Sequence, residues 1–324
     1  MNKFKKVGLT ALASSLVAIS AHAAEVSLSG GVSVGMYQES EDDKTKFYNN
    51  DSVTLSMSGE TDGGITITQT LELDGSSANA GGFDNSITTF AMDGLGTITY
   101  GRHGASSVIG GWDSIAPTAY EEVWDAVETA ASVANNVIGG KSGNGLWRYD
   151  SPSMSGVTFS ASYDSSVAGG TADPSVSTYS DMGILIAPEA VDGLSIGYAT
   201  GEYEETAAIG DIDVSTVWVK YAYGPVTVSY QESEEDATTS ANSNDSEEFG
   251  ISYAVSDDVT ISYGEHTHND GLDASTNNQE SSGMSISYTM SGMTLAASFN
   301  ETANADNSSA EDNEGYEVNL SFAF

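Results

Sequence analysis

Histidine is the scarcest of the side chains in this sequence that could act as a general base or bind a metal ion. His266 and His268 stand two residues apart in the stretch HTH, which we predict to lie at a loop tip, and no third ligand follows at a spacing that would complete a metal site. A Ser-His-acid site requires a base held against a nucleophile by a third group, and nothing in the sequence selects such a set. We therefore predict no catalytic residue, no metal site and no cofactor.

The longest stretch without a strand pattern runs from His103 to Gly145 and contains candidate site residues of both charges. Its acids are Asp113, Glu121, Glu122, Asp125 and Glu128, and its one Lys or Arg is Lys141. Within it, PTAYEEVWDAVETAA has Thr118 three residues before Glu121, the spacing of a capping box, and continues with good helix formers. This pattern predicts a short helix.

The predicted helix has one acidic and one apolar face. The acidic face contains Glu121, Asp125 and Glu128, and the apolar face contains Tyr120, Val123, Trp124 and Val127. Two interpretations remain open at this point. The acids are either solvated on a surface helix, or they are turned into an aqueous space that the rest of the chain encloses.

Most of the remaining chain alternates apolar and polar residues at period two, which is the pattern of strands with one apolar face. In VTVSYQ, for example, Val226, Val228 and Tyr230 share one face. Sixteen such segments occur, near residues 25–38, 51–59, 64–73, 86–92, 95–102, 146–151, 157–164, 178–187, 193–202, 213–222, 225–232, 247–254, 258–266, 280–289, 292–300 and 315–324. Short turns alternate with longer polar connections, as in an up-and-down meander.

The alternation is compatible with a soluble sandwich or with a barrel in lipid, and two further features favour the barrel. A strand of about ten residues at ~3.3 Å rise and ~45° tilt climbs roughly 25 Å, the height of the apolar band on a membrane barrel. Aromatic residues also lie toward strand ends, where they mark membrane interfaces; they are Tyr163, Tyr230, Tyr263, Tyr288 and Phe299. The terminal strand GYEVNLSFAF should then face lipid and pair with EVSLSGGVSVGMY.

The N-terminal segment predicts export. Several lysines precede an apolar run from Val7 to Ile19, and Ala21-His22-Ala23 supplies a cleavage site. We predict a secretory signal peptide over residues 1–23 and a single barrel domain over residues 24–324. The net charge of −38 excludes the basic patch of a nucleic-acid-binding protein, and the absence of cysteine excludes disulfides and thiolate sites.

Several motifs together resemble the sixteen-stranded, trimeric general porins of Gram-negative outer membranes, of the alphaproteobacterial type. They are AEVSLSGGVSVGMY (Ala24 to Tyr37), LGTITYGR (Leu95 to Arg102), the long connection that follows, LWRYDSP (Leu146 to Pro152) and the terminal Phe324. The resemblance implies an outer-membrane homotrimer with a water-filled lumen for ions and small hydrophilic solutes, and a third loop folded inward. It also implies contact with outer-membrane lipid, lipopolysaccharide and the assembly machinery, with Phe324 as part of the assembly signal.

In that family, acids on the third loop face basic residues on the barrel wall, but this sequence has few of the latter. Arg148 is predicted to face the lumen because Trp147 and Tyr149 flank it at the opposite parity, whereas Arg102 closes its strand and could face either the lumen or lipid headgroups. We therefore expect a net anionic constriction and a preference for cations. The alternative functions are an outer-membrane barrel enzyme and a solute-specific channel.

The connections between the later strands are rich in acids, as in SEEDATTSANSNDSEE. Such outer loops could bind Ca²⁺ or Mg²⁺ weakly through carboxylates and carbonyls, or their like charges could simply be solvated.

Overall fold

The computed structural model describes residues 25–39, 42–74, 82–124, 140–143, 145–165, 178–204, 210–237, 243–271, 277–305 and 312–324. The predicted signal peptide, residues 1–23, lies outside these ranges. No helix among the described residues is long and apolar enough to cross a membrane.

Sixteen strands of the described chain close into one antiparallel barrel, which confirms the predicted fold. The strands are β1 (Glu25–Glu39), β2 (Asp42–Glu60), β3 (Ile65–Asp74), β4 (Asn85–Met92), β5 (Gly96–His103), β6 (Ala105–Ser106), β7 (Ser142–Gly143), β8 (Leu146–Asp150), β9 (Val157–Asp164), β10 (Thr178–Ile186), β11 (Leu194–Glu204), β12 (Ile212–Tyr223), β13 (Val226–Ala237), β14 (Asn244–Ala254), β15 (Val259–Asp270), β16 (Gln279–Met290), β17 (Met293–Ala303) and β18 (Asn313–Ala323). Barrel strands that follow one another along the chain pair with one another, with β5 joined to β8. The short β6 and β7 form a separate two-stranded ribbon.

The barrel closes where β1 pairs with β18, from Gly31 opposite Ala323 to Glu39 opposite Gly315. Beyond this register the amide of Gly30 donates to the carbonyl of Phe324 at 2.8 Å, and the amide of Phe324 donates back at 3.0 Å. This pairing leaves neither terminal strand as an edge, which a sheet surrounded by lipid requires because hydrocarbon offers no hydrogen-bond partner. The role of Phe324 as an assembly signal stays a prediction.

Side chains alternate between an apolar outer face and a polar lumen. On β18, Tyr316, Leu320 and Phe322 are exposed on the outer face, while Glu317 and Asn319 are buried on the lumen side. The aromatic residues that were predicted at membrane interfaces all lie on the outer face, with 38% to 50% of their surface exposed: Tyr163, Tyr230, Tyr263, Tyr288 and Phe299. The predicted orientation of the strand faces is therefore confirmed.

The third loop runs between β5 and β8, and its described part contains the β6–β7 ribbon and a single 3₁₀ turn at Ile109–Gly111. The helix predicted to begin at Thr118 is not confirmed, because residues 118–124 form bends and a turn. The amides of Ala119 and Tyr120, in the first turn of the predicted helix, donate to serine hydroxyls of the barrel wall. The remainder of the predicted helix lies outside the described residues.

The alternation on β16 leads to a test of which face meets lipid. Ile286 is 45% exposed on the outer face, and the next residue, Ser287, faces the lumen. We expect Ile286→Lys to destabilise the barrel by about 2–4 kcal/mol in phospholipid vesicles, because an ammonium group at mid-membrane depth loses its hydration. Ser287→Lys should cost much less, because the lumen admits water. Urea unfolding followed by tryptophan fluorescence measures both, and equal effects would contradict the assignment of the faces.

Candidate functional site

The third loop enters the lumen beside β9 and β10 and is bound there through its backbone. The amide of Val108 donates to Ser162 Oγ at 3.1 Å, and the amide of Ile109 donates to Asp181 Oδ2 at 2.8 Å. The two loop side chains are fully buried in a small apolar cluster on the lumen wall, composed of Val108, Ile109, Tyr179, Ala199 and Val214. The start of the loop is therefore fixed to the wall.

The middle of the loop is bound to β13 and β14. Ser114 Oγ donates to Glu248 Oε1 at 2.8 Å, and the amide of Ile115 donates to Gln231 Oε1 at 3.0 Å. The Trp112 carbonyl accepts a hydrogen bond from the Gln231 side chain, and the Trp112 ring packs edge-on against Trp218 with the centroids 5.4 Å apart. Loop amides thus find their acceptors among polar side chains of strands distant in sequence.

Glycines on the lumen side of the wall provide the space that the loop occupies. A Cβ atom at Gly250 would lie 2.7 Å from Ala116 Cβ and 2.7 Å from Pro117 Cδ, and one at Gly264 would lie 2.9 Å from Val123 Cγ1. Both contacts are closer than real Cβ atoms allow. These glycines were missed by sequence reasoning. Glycine at lumen-facing positions within otherwise regular strands was the available signal.

Tyr120 and Glu122, late in the described part of the loop, contact β18 and β17, next to the seam where β18 pairs with β1. The Tyr120 hydroxyl donates to Glu317 Oε1 on β18 at 2.5 Å, and the Asn300 side-chain amide donates to the carbonyl of Glu122 at 3.0 Å. Burial, followed by the bond to Glu317, raises the pKa of the Tyr120 hydroxyl, so this group is a hydrogen-bond donor at neutral pH. The loop therefore crosses the lumen along the wall from β9 to β18.

Three of the predicted constriction acids are described. Asp113 is exposed, and Glu121 and Glu122 are half-buried within the loop. Although Asp113 is exposed as a residue, partial desolvation of its carboxyl group raises the pKa; its side chain accepts a hydrogen bond from the Ser114 amide, which opposes the rise, while the charge of Glu122 adds to it. Asp125 and Glu128 lie outside the described residues, so their placement stays a prediction.

Two basic residues of the lumen each form an ion pair with a nearby carboxylate. Arg148 is bound to Asp150 at 2.9 Å and also donates to the Ser107 carbonyl at 3.0 Å, so it faces the lumen at the root of the loop. Lys141, at the end of the loop, lies 3.5 Å from Asp164. These pairs cancel positive charge locally.

Three further basic residues lie on strands of the barrel wall, Lys44 and Lys46 on β2 and Lys220 on β12. The ammonium of Lys46 lies 3.2 Å from the carboxylate of Glu39. Lys220 on β12 faces the lumen between Ser195 and Ser229 of the neighbouring strands.

Arg102 lies near the end of β5 and is an exposed residue. It follows Gly101, whose Cβ position points at Ala105 inside the barrel, and it lies at the irregularity in the pairing of β4 with β5. Its side chain is exposed, and at this irregularity the alternation along β5 does not assign it to either face. The choice between the lumen and lipid headgroups for Arg102 stays a prediction.

The lumen wall of the described strands is rich in carboxylates. Those facing inward include Glu39, Glu72, Asp150, Asp164, Asp181, Glu235, Glu248 and Glu317. Glu235, Glu248 and Glu317 were not singled out from the sequence. Glu248 and Glu317 fall in predicted strands, opposite the outward apolar residues, whereas Glu235 was predicted in an outer loop and lies on β13 instead. With Lys46 and Arg148 already paired, the wall adds to the negative charge of the loop.

The two histidines of HTH lie on β15 rather than at a loop tip, and both are 3% exposed on the lumen side. The Trp124 ring packs on His266 with the centroids 4.5 Å apart. Among the described residues, no three His, Cys, Asp or Glu side chains are grouped so that they could hold a metal ion. The weak binding of divalent cations by acidic outer loops stays a prediction.

A closed barrel of sixteen strands, apolar outside and polar inside, with a loop along its lumen wall, has the architecture of an outer-membrane porin. The chain belongs to the Gram-negative porin family, which matches residues 8–280. Family and fold place the protein in the outer membrane of a Gram-negative bacterium. A search of curated proteins finds no significant match.

Solved structures with a similar fold have low sequence identity. They include the anion-selective porin from Comamonas acidovorans (16% identity, TM-score 0.69), the trimer form of OmpT, an outer membrane protein of Vibrio cholerae (10%, 0.66), and a mutant of the Rh. blastica porin (17%, 0.61). Each alignment covers 93% of this chain and 99% or 100% of the other chain. At these identities the likeness establishes the fold.

The close packing of the loop against Gly250 can be tested by adding a side chain at this position. We expect Gly250→Val to cost about 1–3 kcal/mol of stability, because the new methyl groups overlap Ala116 and Pro117. The loop should also move away from the wall, which narrows the lumen and lowers single-channel conductance. Gly59→Val is the matched control, since its Cβ position has no neighbour within 4 Å. Unchanged stability and conductance in Gly250→Val would contradict this seating of the loop.

Proposed function

We propose that this porin is a channel for passive diffusion of ions and small hydrophilic solutes, with a preference for cations. The observation that carries the proposal is the charge of the lumen, where inward carboxylates outnumber the inward basic residues on the described strands, and several of the latter are already paired. A barrel of sixteen strands encloses a water-filled space rather than a packed core. Carboxylates at a narrow, low-dielectric passage favour cations because their field acts where ions must pass.

The fold by itself does not set the sign of the selectivity. The Comamonas acidovorans porin has a similar fold and is anion-selective. In this chain, the third-loop acids Asp113 and Glu122 lie on the same stretch that is bound to Glu248, so negative charge is concentrated where the loop meets the wall. A cation preference follows from this charge distribution.

A channel without catalysis is favoured over a barrel enzyme. Trp124 packs on His266, and the buried Nδ1 atom of this histidine has no hydrogen-bond partner among the described groups. A general base must be oriented through its second nitrogen by another group, and His266 lacks that partner at Nδ1. The polar lumen instead supports solute passage.

We also propose a homotrimer. The trimer form of OmpT from Vibrio cholerae has a similar fold. On the outer face of this chain, Thr88 donates to Gln69 at 2.6 Å between β3 and β4, in a region where the neighbouring outward residues are apolar. A polar pair at that depth fits a contact with another protein chain better than contact with lipid tails. Binding to lipopolysaccharide and to the assembly machinery stays a prediction from family resemblance.

Cation preference is tested by the reversal potential of the purified protein in planar bilayers under a KCl gradient. We expect a cation-selective sign that persists at ~1 M salt, where screening acts over ~3 Å and leaves charges at the passage itself effective. Asp113→Asn combined with Glu122→Gln should shift the reversal potential clearly toward zero, because both carboxylates belong to the loop in the lumen.

The matched control removes two outward-facing carboxylates, by Glu232→Gln combined with Glu234→Gln on β13. This pair should change the reversal potential only in dilute salt, because the barrel wall separates the outer face from the lumen. An anion-selective wild type, or equal effects of the two double variants at high salt, would contradict the proposal. Hydrolysis of lipid or ester substrates without conductance steps would favour the enzyme.

The raised pKa of Asp113 predicts how selectivity changes with pH. A carboxyl group whose pKa is raised becomes neutral at a higher pH than a fully solvated aspartate, whose pKa is about 3.9. As the pH is lowered, cation selectivity should therefore begin to decline at a higher pH than that at which fully solvated aspartates titrate. Reversal potentials measured from about pH 7 to pH 4 test this. In Asp113→Asn that early decline should disappear; an identical pH profile would show that Asp113 does not contribute.

A further inference from the structure

Glu317 is a lumen-facing carboxylate of β18 that is only 6% exposed. No Lys or Arg side chain of the described ranges forms an ion pair with it. Its Oε1 atom accepts hydrogen bonds from two phenols, the hydroxyl of Tyr120 in the third loop and the hydroxyl of Tyr48 on β2. Burying a carboxylate without hydrogen-bond donors costs free energy, so the two phenol hydroxyl groups stabilise the buried Glu317.

Tyr48 reaches Glu317 from the other side of the barrel seam. Its ring lies over Gly35 of β1, where a Cβ atom would be 2.3 Å from the ring carbon that carries the hydroxyl. The side-chain amide of Asn319 donates to the Tyr48 hydroxyl at 2.6 Å, so the phenol is held at its tip as well as along its face. The residue at position 35 must be glycine for this ring position, and Tyr48 is thereby preorganised.

Tyr120 links the third loop to Tyr48 and Glu317. Its hydroxyl lies 3.2 Å from that of Tyr48, and its amide donates to Ser285 Oγ at 3.1 Å. The other polar anchors of the described part of the loop lie on earlier strands, including Asp181 on β10 and Asn300 on β17. Among the loop residues that the structure describes, Tyr120 is the one whose hydrogen bond reaches β18.

We propose that Tyr48, Tyr120 and Glu317, here called the tyrosine–glutamate cluster, hold the third loop in its open-channel position and thereby keep the conductance of the pore steady. The inference rests on the proposed channel function and adds three positioning residues to it. Hydrogen bonds to a charged acceptor are stronger than neutral ones, so loss of the Tyr120 bond should raise the population of displaced loop positions by about tenfold or more. A loop that moves within the lumen changes the cross-section open to ions.

Single-channel recordings of Tyr120→Phe test the proposal. This variant keeps the ring and removes only the hydroxyl. We expect about a tenfold or greater rise in the fraction of open time spent in sub-conductance states. Tyr163→Phe is the matched control, since this tyrosine lies on the outer face, and it should record like the wild type. Tyr120→Phe recordings as steady as those of the wild type would overturn the proposal.

Substitution of Glu317 separates positioning from charge. Glu317→Gln retains an acceptor oxygen for both phenols, so it should restore steadiness relative to Glu317→Ala, although it has lost the charge. The double variant Tyr120→Phe with Glu317→Ala should be no less steady than Glu317→Ala alone, because both changes break the same bond. Equal unsteadiness in Glu317→Gln and Glu317→Ala, or additive effects in the double variant, would overturn the proposal.

Folding and channel function are assessed separately from the cluster. Circular dichroism of each variant reports whether the barrel has formed, and Tyr48→Phe tests the cluster from β2 if Tyr120→Phe fails to fold; a steady Tyr48→Phe channel would then count against the proposal. A wild-type protein that gives no conductance steps would refute the channel function itself. Steady wild-type steps together with steady variants would refute only the cluster.

Discussion

The pairing of β1 with β18 is the interaction on which the rest of the structure depends. A lipid-facing strand can find hydrogen-bond partners only in neighbouring strands, so the sheet must close completely. Here the closure extends to Phe324, whose backbone exchanges two hydrogen bonds with Gly30. Closure in turn separates an outside from an inside, and the alternation along each strand gives these two sides opposite chemistry.

The polar lumen then serves as the binding surface for the third loop. Inward serines, glutamine and carboxylates accept hydrogen bonds from loop amides, and inward glycines leave room for the loop to lie close to the sheet. Glu248 shows how one residue takes part in both structure and electrostatics, since it accepts from Ser114 and Ile115 and also brings a carboxylate into the lumen. The position of the loop and the charge of the passage are therefore linked through the same side chains.

The basic residues explain why the charge stays negative. Arg148 and Lys46 each lie beside a carboxylate of a nearby position, so their positive charge is largely cancelled before it can act across the lumen. A pore with unpaired arginines opposite an acidic loop would have a strong transverse field. The described wall of this barrel instead presents hydroxyl groups and carboxylates to the lumen, and the proposed preference for cations rests on this distribution.

The sequence by itself determined the number of barrel strands, their faces and the closure of the last strand on the first. These properties depend on local alternation, which fixes the face of each side chain wherever the backbone is extended. It also assigned Arg148 correctly to the lumen, because Trp147 and Tyr149 flank it. It could not decide on which side of the wall Arg102 lies, because Arg102 falls where the β4–β5 pairing becomes irregular and simple alternation no longer applies.

Only the tertiary structure decided the path of the third loop. The local pattern after Thr118 favours a helix, but residues 118–124 form bends and a turn, and the amides of Ala119 and Tyr120 donate to serine hydroxyls of the wall. Ser114 meets Glu248 and Tyr120 meets Glu317 across sequence separations of 134 and 197 residues. Contacts between such distant positions leave no periodic signal in one sequence, because they depend on the curvature and closure of the whole barrel.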